Sequence, residues 1–172
     1  MSAYLRRAIG TAALAAAATL AGAPASSGEV IVYTASLDGP SESPPVQSPG
    51  TGTATVTINT TAHTMRVQAS FTGLVGTTTN SHIHGPTATA FSGTAGVATT
   101  TPTFTGFPSG VTSGSYDNTF DMTQSSSYNP SFISANGGTP ASAEVALANA
   151  MAAGKAYFNI HSSAFPGGEI RG

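Results

Sequence analysis

Between Thr51 and Asn59 the chain alternates strictly, with Ala54, Val56 and Ile58 on one face and Thr53, Thr55 and Thr57 on the other. That period of two belongs to a half-buried antiparallel strand. Met65, Val67, Ala69 and Phe71 repeat it against Arg66, Gln68, Ser70 and Thr72, and the polar link from Asn59 to His63 predicts a hairpin between the two runs. An earlier strand is predicted over Glu29 to Leu37, ending in the turn-rich stretch from Asp38-Gly39-Pro40 to Pro49-Gly50. Residues Gly85 to Gly114, rich in Gly, Thr, Ser and Pro, predict short strands around Val97 and Phe104 joined by long loops, with no domain boundary. Tyr116, Asn118 and Phe120 alternate with Asp117, Thr119 and Asp121, giving a further strand over Ser115 to Met122, and Lys155 to His161 gives the last clear one. One segment breaks the pattern: a capping Thr139, Pro140 at the first helical position, an Ala-rich run and Gly154 predict a short helix near 140–153. Many short strands between Gly/Pro turns make an all-β fold, an antiparallel sandwich or barrel.

The first 25 residues read as an export signal rather than as fold. Arg6 and Arg7 form a basic start, Ala8 to Ala21 an apolar run, and Ala23-Pro24-Ala25 a small-residue cleavage site. The expected mature domain is 26–172, secreted or periplasmic, with no membrane anchor after signal cleavage. Composition narrows the chemistry further. Only 5 basic and 7 acidic residues stand among 172, so the chain has no electrostatic footprint for nucleic acid. It has no Cys, which removes disulfides, thiolate metal sites and thiol catalysis. His, carboxylates, hydroxyls and backbone remain.

Among these, the histidines stand out. In Ser81-His82-Ile83-His84-Gly85 the two imidazoles sit at i and i+2, on the face opposite Ile83, and His161 stands on the polar face of its strand beside Asn159. If the strands meet, His82, His84 and His161 form a three-imidazole site suited to copper or zinc, with one coordination position open for water. Single histidines on a polar strand face are usually just solvated or hydrogen bonded, and the sequence does not show that the two segments touch. His63 falls in the hairpin turn and is expected to be exposed and uninvolved. Glu42 and Glu169 are expected to be polar turn or strand-edge residues, and Asn59-Thr60-Thr61 matches a glycosylation sequon only by coincidence. Hydrolase and nucleotide motifs (G-x-S-x-G, H-E-x-x-H, G-x-x-x-x-G-K, G-x-G-x-x-G) are absent.

Gly39 to Pro45, Gly52-Thr53-Ala54-Thr55-Val56, His82-Ile83-His84-Gly85-Pro86 and Tyr157-Phe158-Asn159-Ile160-His161 through Gly167-Gly168-Glu169-Ile170-Arg171-Gly172 together resemble the CHRD domain, named from chordin, in the expected order. The resemblance implies an extracytoplasmic, Greek-key-like β-sandwich or barrel similar in architecture to Cu/Zn superoxide dismutase, in which an H-x-H strand also supplies metal ligands. It does not imply an enzyme. The long Phe91 to Asn136 region and the stop directly after the GEIRG strand depart from the family pattern. The reading it favours is a non-catalytic binding module holding copper or zinc at His82, His84 and His161. The alternatives are a matrix or adhesion module contacting an extracellular protein or polymer through its Ser/Thr/Gly loops, and a mononuclear copper redox enzyme. A dinuclear dismutase site would need more histidines than the remaining His63, and that family's disulfide.

Overall fold

The computed structural model describes residues 29–172, and the expected signal segment, 1–25, lies outside them. Seven strands form one antiparallel sheet: β1 (Val30–Asp38), β2 (Thr51–Asn59), β3 (Thr64–Thr72), β4 (Thr78–His84), β5 (Gly114–Asp121), β6 (Tyr157–Ser162) and β7 (Ile170–Arg171). Their order across the sheet is β4-β6-β7-β1-β2-β3-β5. The sheet curls into a half-barrel, consistent with the expected all-β sandwich or barrel class.

The alternation seen in the sequence sets which side is inside. Ala54, Val56 and Ile58 of β2 stand opposite Ala69, Val67 and Met65 of β3 in the ladder, and all six are buried. Their threonine-rich opposite faces stay wet. The hairpin turn between them is an Asx turn, because Asn59 Oδ1 accepts the N–H groups of Thr61 and Ala62. The acceptor side chain of the sequon is thus engaged in building the turn.

The concave face is filled by what lies between β4 and β5 and by the helices. α2 (Pro140–Ala152) begins as the sequence predicts, with a capping box between Thr139 and Ser142, and closes through Gly154 at φ 64°. Ala143, Leu147 and Ala150 bury its inner stripe. A second, shorter helix, α1 (Pro130–Ala135), is capped by Asn129 and inserts Phe132 into the same core. Six residues are too few for a periodic signal, which is why the pattern predicted only one helix.

The strands expected around Val97 and Phe104 do not form. Val97 makes a single bridge to His84 and Thr99 one to Tyr128. Phe104 donates its N–H to the Ser81 carbonyl and puts its ring, fully buried, against Tyr116, Phe120 and Phe158. The segment follows the free edge of β4 by isolated hydrogen bonds, since its Gly and Pro residues prevent a continuous ladder. It is core filler and edge cover in one.

Candidate metal centre

β4 and β6 are neighbours, paired antiparallel with His82 opposite Asn159, His84 opposite Tyr157 and Asn80 opposite His161. Directly opposed residues share a face, so His82, His84 and His161 all project from the convex side of the sheet. The parity read from the sequence is correct. The convex face is nevertheless not solvated here: His82, His84 and His161 are only 5%, 9% and 9% exposed. The 95–102 segment and the 163–168 turn cover them, since their carbonyls reach all three rings.

Each ring is held by one backbone carbonyl. His82 Nε2 donates to the Pro102 oxygen, His84 Nδ1 to the Ala95 oxygen at 2.9 Å, and His161 Nδ1 to the Pro166 oxygen at 2.9 Å. A carbonyl can only accept, so these contacts fix the tautomers. The proton sits on the outward nitrogen and the lone pair remains on His82 Nδ1, His84 Nε2 and His161 Nε2. Those three atoms are buried and have no hydrogen-bond partner. One ligand nitrogen from each ring lies within 4.8 Å of the others, and the ring centroids are 5.1–5.9 Å apart. Nitrogens sharing one ion at about 2.0–2.1 Å would be separated by roughly 3.4 Å, a difference that small ring rotations cover.

Electrostatics agrees with neutral, ligand-ready rings. Burial lowers all three imidazoles below their ordinary range, each opposed by its carbonyl hydrogen bond. His84 falls furthest, to about 4, because charge on His82, His161 and Arg171 adds to the loss of solvent. Leaving a buried acceptor unsatisfied costs on the order of 1–3 kcal/mol per group. A cation placed among these three lone pairs removes that cost.

The support around the rings was not legible in the sequence. Tyr157 stacks on His84 at 4.9 Å between centroids, and the Arg171 guanidinium lies over the Tyr157 ring at 4.3 Å from its centroid. Arg171 is itself tied to the carbonyls of Ser41 and Gly93. Tyr157 also exchanges weak hydrogen bonds with the Ala95 backbone, the residue that orients His84. Beside them Asn159, opposite His82, donates to buried Glu42 at 2.9 Å.

Glu42 and Glu169 stand, as expected, in a turn and at a strand edge, but both are buried. Burial pushes the Glu42 carboxyl up to about 7 against the opposing pull of Arg171 and the Asn159 hydrogen bond. Glu169 is fully buried and accepts from Ser48 Oγ and from the backbone N–H groups of Val75 and Gly76. Burial alone would raise its pKa, but these hydrogen bonds and one from Ser162 leave it below the ordinary value. It clamps the β3–β4 loop to the turn before β7. His63 stays out of the three-histidine cluster as expected, yet it is not free: its Nδ1 lies 2.8 Å from Glu144 Oε2 and ties the β2–β3 turn to α2.

A family model for the CHRD domain matches residues 33–172, nearly all of the described chain. The chain belongs to the CHRD domain family. No curated protein and no solved structure matches it. In this CHRD domain the H-x-H motif and the N-x-H motif are thus neighbours on one face, and the terminal G-G-E-I-R segment supplies Glu169 and Arg171 to fasten the surroundings of the rings.

Proposed function

We propose that this CHRD domain is a non-catalytic metal-binding module that holds one copper or zinc ion through His82 Nδ1, His84 Nε2 and His161 Nε2. The observation that carries the reading is the trio of buried, unpartnered ring nitrogens, each left as a lone pair by a carbonyl bond on the opposite side of its ring. Metal-ligating histidines are characteristically oriented by such a second hydrogen bond. Imidazole ligands suit copper and zinc, and among the described residues no other His, Cys or carboxylate completes the cluster. We further propose that the domain is exported, with residues 1–25 as its signal. The chain's lack of Cys leaves packing, sheet hydrogen bonds and a bound ion to stabilise it outside the cell.

Titration of the purified mature domain with Zn(II) or Cu(II) tests the metal reading. The expected result is uptake of one ion per chain, with stabilisation of about 2.7 kcal/mol when free metal stands at 100 times Kd. His82→Ala and His161→Ala should each abolish uptake while remaining folded. Undiminished binding in both would eliminate the site. N-terminal sequencing of the exported protein should begin at Ser26.

A further inference from the structure

The three ring nitrogens offered to a cation are neutral donors, and among the described residues no carboxylate joins them. Imidazole by itself suits both copper and zinc, so ligand type does not choose between these ions or between their charges. The surroundings do. The rings are buried, and a buried ion carries its charge uncompensated unless an anion lies beside it.

The charge fixed beside this cluster is positive. The Arg171 guanidinium lies 4.3 Å from the Tyr157 ring centroid, and that ring stacks on His84 with 4.9 Å between centroids. Arg171 is 7% exposed, donates to the carbonyls of Ser41 and Gly93, and forms no ion pair with a side chain among the described residues. Its charge reaches the ring: burial first, and then charge on His82, His161 and Arg171, holds His84 below its ordinary range. Glu42 feels the same guanidinium, but burial pushes its carboxyl up to about 7, so at neutral pH it offsets Arg171 only in part. The two centroid separations leave the guanidinium and an ion on His84 no more than about 12 Å apart, where two unit charges at an effective dielectric of about 20 change a binding constant roughly tenfold.

We infer that the three-histidine centre is selective for Cu(I) over Cu(II) and Zn(II), and that Arg171 is the residue that sets this preference. The inference rests on the metal-binding reading above. A monovalent ion gives the buried cluster one positive charge and a divalent ion gives it two, so the guanidinium repels the divalent ions twice as strongly. Coordination acts in the same direction. Three nitrogen donors satisfy Cu(I), whereas Zn(II) takes a fourth ligand from solvent, and the segments over the rings restrict its entry.

Redox titration of copper bound to the full chain tests this. The Cu(II)/Cu(I) midpoint should lie at least about 59 mV above that of copper in excess aqueous imidazole, a tenfold preference for Cu(I). Arg171→Gln should lower the midpoint by about the same 59 mV, and Arg171→Lys, which keeps the charge, should not. In parallel titrations, with Cu(I) maintained by ascorbate, Arg171→Gln should tighten Zn(II) binding roughly tenfold more than Cu(I) binding. Arg171 also fastens two loops, so Asn80→Asp serves as a second variant that leaves those contacts in place. Asn80 is half-buried and stands directly opposite His161, on the same face, and a carboxylate there should also lower the midpoint. A midpoint at or below the imidazole reference, equal midpoints in folded Arg171→Gln and Arg171→Lys, or an unmoved midpoint in Asn80→Asp each overturns the inference and leaves the metal reading standing. Failure to take up copper or zinc in any state refutes the metal reading, and the inference with it.

Discussion

Individual residues here are constrained by what presses on them from the convex face. Gly168 has φ 131°, and a Cβ there would meet Asn159 Nδ2 and Glu42 Oε1 at 2.6 Å. Gly168→Ala is expected to destabilise the domain by about 2 kcal/mol or more in urea unfolding, through backbone strain and loss of the Glu42–Asn159 contact. The pH dependence of the metal-free domain follows from the same neighbourhood. The three site histidines have folded pKa values below the unfolded 6.5, so the unfolded chain binds more protons over that interval. Their contribution to stability is complete above pH 6.5 and is lost as pH falls toward about 4. Glu42 acts in the opposite sense: with a folded pKa of about 7 against an ordinary 4.5, it favours the fold below 4.5 and loses that effect as pH rises through 7. Chemical denaturation between pH 4 and 7 should therefore show a steeper fall on acidification in Glu42→Gln than in the unaltered protein. Equal slopes would mean that Glu42 does not retain its proton in the fold.

At the level of elements, α2 and the loop before β5 close the half-barrel, and their contributions separate cleanly. Thr139 caps α2 reciprocally with Ser142, and Thr139→Ala should cost about 1 kcal/mol without affecting metal uptake. Phe104 is different because its ring packs against three aromatic side chains from two strands, β5 and β6, while its segment leads back to the Pro102 carbonyl that orients His82. Phe104→Ala is expected to cost about 3–5 kcal/mol. It should also weaken metal binding, as titration of the variant under conditions where it remains folded would reveal. Retained affinity would show that the Pro102 carbonyl is positioned independently of the core. The failed strand expectations at Val97 and Phe104 have the same origin: a segment with two isolated bridges and the buried rings of Phe104 and Phe107 serves the core without joining a ladder.

For the whole molecule, burying three ring nitrogens without partners makes the metal-free fold less stable than it could be, and an ion held as proposed would reverse that deficit. The isolated domain should consequently unfold at a lower denaturant concentration after chelation, and replacing all three histidines by Gln should remove the difference between chelated and metal-loaded samples. A chelator effect that survives the triple replacement would place the ion elsewhere.

The amino-acid sequence alone determined the strand faces, the β2–β3 hairpin, the α2 cap and the parity of the histidines. All of these follow from periodicity and local backbone preference, which neighbouring residues dictate. It also carried the family, through short motifs that lie far apart along the chain. Only tertiary structure decided that β4 and β6 are neighbours, that loop carbonyls cover the rings and set their tautomers, and that Glu42, Glu169 and Arg171 are drawn into the interior. Those outcomes depend on pairings between residues as many as 130 positions apart, and no local pattern of apolar and polar side chains encodes which distant edge a strand will meet or which carbonyl will stand above it.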